Sequence, residues 1–292
     1  MLSRRSVVKS IVLGVLTIVV PFSAHAQTKD PARLRVALLP DENAATLIQN
    51  AQPLKEHLNT ALNKEIEIIV TTDYSSMIEA MRFGRIDVAY FGPFSYVLAK
   101  TKAPGIEPFA VGVERGSPTY QSVLIAHAAG PVKTMQDIKG HTFGFGDQAS
   151  TSSHLAPRAH LLKTAALEGG KDYQVVHLGT HDAVARAVQA GQVPAGALSK
   201  PILDSLIQKG VIDASKIVQL DLSAPIPNYP MVMQANLKPE LKEAIRSAFL
   251  DVKDPAVLKS FRVEAFAPTN DDAYNVLRET ATILNLDIGA MK

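Results

Sequence analysis

The sequence predicts an α/β protein of two lobes with a ligand cleft between them. Short apolar stretches typical of buried strands alternate with stretches of helical spacing, as in mostly parallel sheets covered by helices. The chain has 292 residues, of which 47% are hydrophobic, and this suits two domains with apolar cores. It contains no cysteine, so disulfide bonds cannot contribute to its stability.

The first half of the chain predicts the order strand, helix, strand, helix, strand. Pro40 ends the first strand, Asp73 is the predicted N-cap of the second helix and Gly84 ends that helix. This order is typical of parallel strands joined by helical crossovers. The predicted elements are a strand over 34–40, a helix over 45–62, a strand over 66–71, a helix over 73–84 and a strand over 86–91.

The rest of the chain predicts a second unit of the same kind and then a return to the first. Thr180 is the predicted N-cap of a helix that ends at Gly191. The predicted strands cover 120–127, 141–146, 173–179, 195–199 and 231–235, and the predicted helices cover 134–138, 180–191, a stretch from 201, 239–250 and 271–284. The chain therefore crosses twice, which places residues 27–119 and 231–292 in lobe 1 and residues 120–230 in lobe 2.

Residues 1–26 are predicted to be a signal peptide that is removed on export. Basic residues precede an apolar run over 11–20 that is too short for a comfortable membrane span, and Ala24 and Ala26 fit a cleavage site. The paired arginines near the start resemble a twin-arginine signal, and an ordinary secretory leader is the alternative. We therefore expect a periplasmic protein that begins at Gln27.

The charge balance of the mature chain argues against two classes of partner. The full chain has 30 basic and 28 acidic residues, and the leader contains three of the basic residues and none of the acidic ones. A net charge of about −1, without long runs of like charge, argues against nucleic acid and against an anionic membrane surface as partners.

Four hydroxyl residues, Ser150 to Ser153, follow the predicted strand over 141–146 where the chain should enter a helix. The first N–H groups of a helix are unpaired and carry partial positive charge, so an anion gains several hydrogen bonds there. Hydroxyls add neutral donors, which suits an oxyanion that must later be released. Pro157 would fall inside a helix that began at Thr151, so we expect a separate first turn. Ordinary helix capping by serine is the alternative.

Three more side chains are candidates for the same site. His181 follows the Thr180 cap in the first turn of a helix, where the helix dipole disfavours a positive charge on the imidazole. Tyr74 and Tyr120 lie at the loop ends of predicted strands, and ligands of α/β sheets bind near such ends. A solvated helix start for His181 and rim packing for the tyrosines are the alternatives.

Several segments resemble, in order and spacing, the periplasmic binding proteins of phosphonate and phosphite ABC transporters. They include TTDYSSMIEAMRFGRIDVAYFGPFSYVLA, DIKGHTFGFGDQASTSSHLAP, HLGTHDAVARAVQAGQVPAGAL and PIPNYPMVM. The resemblance covers essentially the mature chain. It implies a two-lobed type II periplasmic-binding fold that closes by a hinge over one phosphonate-like anion. It also implies an ABC transporter permease in the inner membrane as partner, with no enzymatic activity, no cofactor and no metal, and we expect a monomer.

The resemblance implies which residues bind the anion, position by position. The family uses a serine-threonine-serine run, two tyrosine hydroxyls and a histidine. The expected ligand-binding residues are Ser150, Thr151, Ser152, Tyr74, Tyr120 and His181, with Tyr90 and Phe91 lining the cleft and Asn228 at the second crossing.

The chain departs from the family pattern at positions that bear on the ligand. Ser153 stands where glycine often follows the serine-threonine-serine run, which brings the tight turn there into question. Family members that bind aminoalkylphosphonates carry acidic residues for the ammonium group of the ligand, whereas Ser199, Lys200 and Asn228 occupy the corresponding part of this chain. The difference favours phosphite, methylphosphonate or phosphate over 2-aminoethylphosphonate.

Other functions are compatible with parts of the sequence. An exported hydrolase would use Ser150 as nucleophile, His181 as base and Asp147 or Asp182 to orient the base, but the chain has no Gly-x-Ser-x-Gly elbow. A metal site would need carboxylates clustered with the histidines, and no such spacing is present. A ligand-sensing protein that reports to a membrane sensor, or a phosphate-binding protein, would share the fold, and the sequence does not separate these two from phosphonate transport.

Overall fold

The computed structural model describes residues 28–291. The predicted signal peptide, residues 1–26, lies outside the described residues. Across residues 28–291, no helix has both the length and the apolar character that a membrane crossing requires.

Strands and helices alternate along the described chain. The strands are β1 (Arg33–Leu38), β2 (Glu65–Val70), β3 (Val88–Tyr90), β4 (Glu107–Val113), β5 (Thr119–Tyr120), β6 (Ser122–His127), β7 (Thr142–Phe145), β8 (Gln174–His177), β9 (Ala195–Ser199), β10 (Ile217–Leu222), β11 (Ile226–Pro227), β12 (Pro230–Met233) and β13 (Ala265–Pro268). The α-helices are α1 (Ala44–Asn50), α2 (Gln52–Leu62), α3 (Tyr74–Arg82), α4 (Pro93–Lys102), α5 (Ala156–Ala165), α6 (His181–Gln189), α7 (Lys200–Gln208), α8 (Pro239–Leu250), α9 (Pro255–Ser260) and α10 (Asn275–Ile283).

The first lobe is a six-stranded sheet with its covering helices. The strand order is β13-β4-β12-β3-β1-β2, in which β1 runs parallel to β2 and β3 while β12 pairs antiparallel with β3 and β4. Leu38 at the end of β1 lies opposite Tyr90 at the end of β3. The chain therefore leaves both strands at the same edge of the sheet, where α/β proteins bind their ligands.

The second lobe is a five-stranded sheet in the order β10-β6-β9-β7-β8. Strand β6 lies in the interior of this lobe and is covered on both faces. Successive side chains of a strand point to opposite faces of the sheet, so alternate residues of β6 belong to two different cores. Val123 and Ile125 pack with residues of α6 and α7, whereas Leu124 and Ala126 pack on the other face around Phe143.

The chain passes between the lobes through two short strands that pair with each other. β5 and β11 form an antiparallel pair in which Tyr120 lies opposite Ile226 and Thr119 lies opposite Pro227. Tyr120 is thus held at the connection between the lobes, next to the cleft. The core of the first lobe extends across the cleft to Ala149 and Leu155 of the second lobe, so the lobes are in contact.

The α/β class and the two-lobed architecture predicted from the sequence are confirmed, and two predicted helices are divided. The helix predicted over 45–62 is two helices, α1 and α2, because Pro53 in the first turn of α2 has no N–H with which to continue the preceding helix. The helix predicted over 271–284 begins as a 3-10 turn, Asp271–Tyr274, before α10.

Six elements of the described chain have no counterpart in the sequence prediction: β4, β10, β11, β13, α4 and α9. Seven consecutive residues of α4 are buried, so this helix lacks the alternation of apolar and polar faces by which surface helices are recognised. β4 contains Pro108 and Gly112, which are residue types that strands disfavour.

Candidate anion-binding site

The hydroxyl cluster, Ser150 to Ser153, forms the start of a helix at the end of β7. The Ser150 hydroxyl accepts a hydrogen bond from the Ser153 N–H at 3.1 Å and so caps a π-helical turn, Thr151–Leu155. This turn continues into α5 without a break, because Leu155 and Ala156 both have helical backbone angles. Pro157 lies in the first turn of α5 and has no N–H, and the carbonyls of Ser152 and Ser153 accept from the Ser122 hydroxyl and the Gly146 N–H instead. The turn expected before Pro157 is therefore present and is π-helical, but it is continuous with α5 rather than separate from it.

Ser153, which replaces the family's glycine, is part of the scaffold beneath the site. Its side chain is fully buried and its hydroxyl donates to the Ala197 carbonyl of β9. The adjacent Ser152 carbonyl accepts a hydrogen bond from the Ser122 hydroxyl at 2.5 Å. The turn is therefore retained with serine at this position, because two strands of the second lobe bind it from below.

Gly146 is expected to be required for this turn. A Cβ at residue 146 would lie 2.7 Å from the Ser153 hydroxyl oxygen and 3.0 Å from the Gly179 carbonyl oxygen. Gly146→Ala should lower the free energy of unfolding by about 2 kcal/mol, because neither neighbour can move freely. Urea unfolding measures the change. Gly105→Ala is a matched control, since its Cβ would lie 3.3 Å from Ala235. An equal effect of the two substitutions would contradict this account.

Two tyrosines place their hydroxyls against the cluster. The Tyr74 hydroxyl interacts with the Ser150 side chain, and the Tyr120 hydroxyl lies beside the side chains of Ser152 and Thr151. Both tyrosines are buried, and burial raises the pKa of each above its ordinary value. Both therefore remain protonated hydrogen-bond donors at neutral pH.

Thr151 joins the two lobes at the site. Its hydroxyl oxygen accepts a hydrogen bond from the N–H of Phe94, in the first turn of α4, at 2.8 Å. The hydroxyl proton of Thr151 therefore points away from that contact and can be donated to another acceptor.

His181 is a neutral donor at the start of α6. Its Nδ1 accepts a hydrogen bond from the Ser199 N–H at 3.2 Å, so the ring proton lies on Nε2. Burial, helped by the nearby charge of Arg262, lowers the pKa of His181 to about 3. The main-chain N–H of His181 donates to the Asp41 carbonyl across the cleft at 2.9 Å.

Three buried side-chain atoms at this site lack a hydrogen-bond partner: the Tyr120 hydroxyl, the Ser152 hydroxyl and Nε2 of His181. Only two other such atoms, on His127 and Asn236, occur in residues 28–291. Buried polar groups are nearly always paired, and each unpaired one costs about 1–3 kcal/mol. All three residues are among those predicted from the sequence.

The other predicted residues lie at the cleft but form no described hydrogen bond with the hydroxyl cluster. Tyr90 stacks on Tyr229, with ring centroids 5.2 Å apart. Phe91 is fully buried and donates its N–H to the Pro230 carbonyl at 3.1 Å. The side-chain oxygen of Asn228 accepts from the Tyr229 N–H at 2.8 Å, so that oxygen is already engaged.

Sequence reasoning missed three charged residues that the fold brings to the cleft, Asp41, Glu114 and Arg262, and named a fourth, Asp147, only for the hydrolase alternative. The Asp147 carboxylate accepts a hydrogen bond from the N–H of Ala149 at 2.8 Å and lies near the main-chain N–H of Tyr74. Asp41 and Arg262 line one small cavity, and Glu114 and Arg262 line the next one, beside Tyr120. Acidic groups therefore do reach the cleft, although none lies at the positions compared in the sequence. Asp41 follows β1 at its carboxyl end, which is the sequence signal that could have revealed it.

The side chains proposed for a hydrolase do not form a catalytic relay. The Ser150 oxygen accepts from a main-chain N–H, and Nδ1 of His181 is engaged by Ser199 rather than by a carboxylate. Asp182 accepts from the Thr180 hydroxyl at 2.7 Å instead. In the part of the chain that the structure describes, no three His, Asp or Glu side chains are grouped to hold a metal ion.

Comparisons with known proteins agree with the resemblance read from the sequence. Residues 36–274 match the family described as ABC transporter, phosphonate, periplasmic substrate-binding protein. A phosphate-import protein of Mycolicibacterium smegmatis is 28% identical over 261 residues, which are 86% of this chain and 80% of that protein. A probable ABC transporter phosphite-binding protein of Prochlorococcus marinus is 24% identical over 275 residues, covering 88% and 91% of the two chains.

Solved structures show the same fold. A binding-protein component of a phosphonate ABC transporter from Pseudomonas aeruginosa has a TM-score of 0.81 at 24% identity, covering 88% of this chain and 87% of its own. A Prochlorococcus marinus protein in complex with methylphosphonate has a TM-score of 0.79 at 22% identity, covering 88% and 99% of the two chains. The type II periplasmic-binding fold is therefore confirmed, and the chain belongs to the family of periplasmic substrate-binding proteins of phosphonate ABC transporters.

Proposed function

We propose that the protein binds a small phosphonate-type oxyanion, such as phosphite, methylphosphonate or a related phosphonate, and delivers it to an ABC transporter permease. One observation carries the proposal: Tyr120, Ser152 and His181, three of the expected ligand-binding residues, each have a buried side-chain atom without a hydrogen-bond partner. Tyr120 lies beside Ser152, and the main chain of His181 is bound to Asp41 at the cleft. Each of these groups can donate a hydrogen bond, and an oxyanion supplies several acceptor oxygens at once. Membership of the family supports the same class of ligand.

The proposed site holds the anion with neutral donors from both lobes. Ser150, Thr151 and Ser152 donate their hydroxyls, and the first N–H groups of the helix that they begin add to these bonds. His181 donates from Nε2, and Tyr74 and Tyr120 donate their hydroxyls. Tyr90, Phe91 and Asn228 complete the lining of the cleft.

Selectivity is proposed to arise where the ligand has no oxygen. The P–H of phosphite or the P–CH3 of methylphosphonate would face an apolar wall, for which the fully buried rings of Phe91 and Phe94 are the candidates. Phosphate would place a fourth oxygen against that wall without a donor, and such unpaired polar groups give strong discrimination.

Capture and release follow from the position of the donors on the two lobes. An anion that bridges Tyr74 on the first lobe and Ser152 and His181 on the second stabilises the closed form, because the open form cannot offer all the donors together. The cycle makes and breaks no covalent bond. The permease would recognise the closed shape and receive the anion when the lobes separate.

The protein is proposed to work outside the inner membrane, as an exported chain of two lobes. The chain would be exported by residues 1–26, through the twin-arginine or the general secretory route, and would act as a monomer in the periplasm. Residues 27–119 with 231–292 would form one moving lobe and residues 120–230 the other, with the β5–β11 pair as the hinge.

Thermal unfolding tests the proposal. Mature protein freed of bound anion by unfolding, dialysis and refolding is heated with phosphite, methylphosphonate, 2-aminoethylphosphonate, phosphate or sulfate. A ligand at 100 times its Kd should add about 2.7 kcal/mol of stability and raise the midpoint by roughly 5–10 °C. We expect this shift with phosphite or methylphosphonate and not with sulfate. The proposal fails if none of the five anions shifts the midpoint.

A further inference from the structure

We infer that Asp41 is a specificity-determining residue of the anion site whose side chain takes up a proton when the anion binds. Affinity would therefore fall as the pH rises through neutrality. The inference rests on the proposed function and adds a residue and a pH dependence to it.

Asp41 lies inside the cleft, at the carboxyl end of β1. The residue is only 3% exposed, and its main-chain carbonyl accepts the N–H of His181 at 2.9 Å. The charge of its carboxylate raises the pKa of both Tyr74 and Tyr120 in addition to the larger effect of burial. Asp41 is therefore within electrostatic reach of the two hydroxyls proposed to hold the anion, where a second negative charge would repel it.

The groups that face Asp41 come from every element packed around it. They are Glu42 in the same loop, Tyr74 of α3, Tyr90 of β3, Tyr120 of β5, His181 of α6, Tyr229 before β12 and Arg262 after α9. Among these groups Arg262 is the one cation, because His181 is neutral. The guanidinium of Arg262 is bound to Glu42 at 2.7 Å, so two carboxylates share one positive charge.

Arg262 follows directly after the C-cap residue of α9. Its φ is +58°, and its N–H donates to the Lys259 carbonyl while the Val263 N–H donates to the Leu258 carbonyl, as at a helix that ends in a left-handed residue. The guanidinium of Arg262 is ion-paired with Glu42, which leaves Asp41 with a weaker share of the positive charge.

Asp41 is consequently poised to change its protonation near neutral pH. Burial, opposed by Arg262 and by a hydrogen bond from Tyr229, raises the pKa of Asp41 to about 7. A bound anion raises the pKa further, because its charge disfavours the ionised carboxylate. One proton is then taken up from solvent or carried in by the ligand, and the neutral carboxyl adds an O–H donor to a site made of donors.

The linkage has a definite sign. The pKa of Asp41 is higher in the complex than in the free protein, so affinity is greatest at low pH and falls as the pH rises above the pKa of the free protein. The pKa of His181, lowered to about 3, lies below this range. The pKa values of Tyr74, Tyr120 and Tyr229 are raised above their ordinary value and lie beyond it.

The test compares the mature wild-type protein with Asp41→Asn, which has the same shape and no charge. The Kd values for phosphite and for methylphosphonate are measured by calorimetry at about pH 6 and about pH 8. Each ligand also changes its own protonation with pH. This change affects the wild-type protein and the variant alike, so it cancels in the ratio of wild-type Kd to variant Kd. We expect this ratio to rise severalfold, and by up to about tenfold, from the lower to the higher pH. Asp182→Asn is the matched control and should leave the corresponding ratio constant, because Asp182 is bound to Thr180 outside the site.

Each outcome decides a different point. If both proteins bind the anion and the ratio of wild-type Kd to variant Kd changes by less than about twofold across the pH range, the inference is wrong. The proposed function would then still stand. Binding of neither anion by either protein overturns the proposed function and the inference with it. If Asp41→Asn does not fold, the carboxyl carbon of Asp41 is followed by NMR in labelled wild-type protein with saturating phosphite. A protonated chemical shift at about pH 7.5 supports the inference, and an ionised one contradicts it.

Discussion

Replacing Thr151 with alanine is expected to weaken anion binding about 100-fold. The substitution removes a hydroxyl donor to a charged ligand, which is worth about 1.5–3 kcal/mol. It also leaves the Phe94 N–H, which Thr151 accepts at 2.8 Å, without a partner when the lobes close. The closed form therefore loses one bond to the ligand and one bond between the lobes. Calorimetric titration with phosphite and methylphosphonate measures the loss.

Thr151→Ser is the control for this prediction, because it keeps the hydroxyl and removes only a methyl group. Its Kd should stay within about fivefold of the wild-type value, since it keeps both hydrogen bonds. Equal losses in Thr151→Ser and Thr151→Ala would show that the methyl packing of this buried residue matters more than its hydrogen bonds. Unchanged binding in Thr151→Ala would remove the hydroxyl cluster from the site.

His181→Phe is expected to weaken binding about 30-fold and to change how stability depends on pH. Loss of the Nε2–H donor accounts for the decrease in affinity, because a hydrogen bond to an anion contributes about 2 kcal/mol to the free energy of binding. The ordinary pKa of histidine is 6.5 and that of folded His181 is about 3, so wild-type stability is fully present above pH 6.5 and falls below it. Each buried neutral histidine of this kind changes the free energy of unfolding by up to about 1.4 kcal/mol per pH unit.

His154 provides the internal reference for this measurement. Its pKa is also lowered to about 3, by burial and then by the charges of Arg158 and His177, and it lies outside the proposed site. Urea unfolding between about pH 6.5 and pH 5 should therefore give a slope that is smaller in His181→Phe than in the wild type by the contribution of one histidine. His154 and Asp41, whose raised pKa gives a slope of opposite sign, titrate in both proteins and cancel in this difference. An unchanged slope would mean that His181 is not buried in its neutral form.

The hydroxyl cluster could be predicted from the sequence because its structure is local. Ser150 caps the turn that it begins, and the effect of Pro157 on the following helix depends on neighbouring residues alone. The two-lobed fold was equally accessible, since the order of strands and helices determines it. The roles of Tyr74, Tyr120 and His181 came from the resemblance to a family, and the structure then places their side chains at one cleft.

The electrostatics of the cleft could not be predicted in this way. Arg262 is 220 residues away from Glu42 along the chain. It meets Asp41 and Glu42 only because the loop after β1 and the segment after α9 converge. The left-handed backbone of Arg262 belongs to the end of α9, a helix that was not predicted from the sequence. The comparison of positions 199, 200 and 228 therefore missed the acids that reach the cleft from Asp41 and Glu114.

A crystal structure of the mature protein with methylphosphonate would show whether the unpaired buried groups bind the ligand. We expect one anion in the cleft, with its oxygens about 2.6–3.2 Å from the Tyr120 hydroxyl, the Ser152 hydroxyl and Nε2 of His181. An anion bound elsewhere, or these three atoms paired with protein groups while the anion lies beyond their reach, would contradict this expectation.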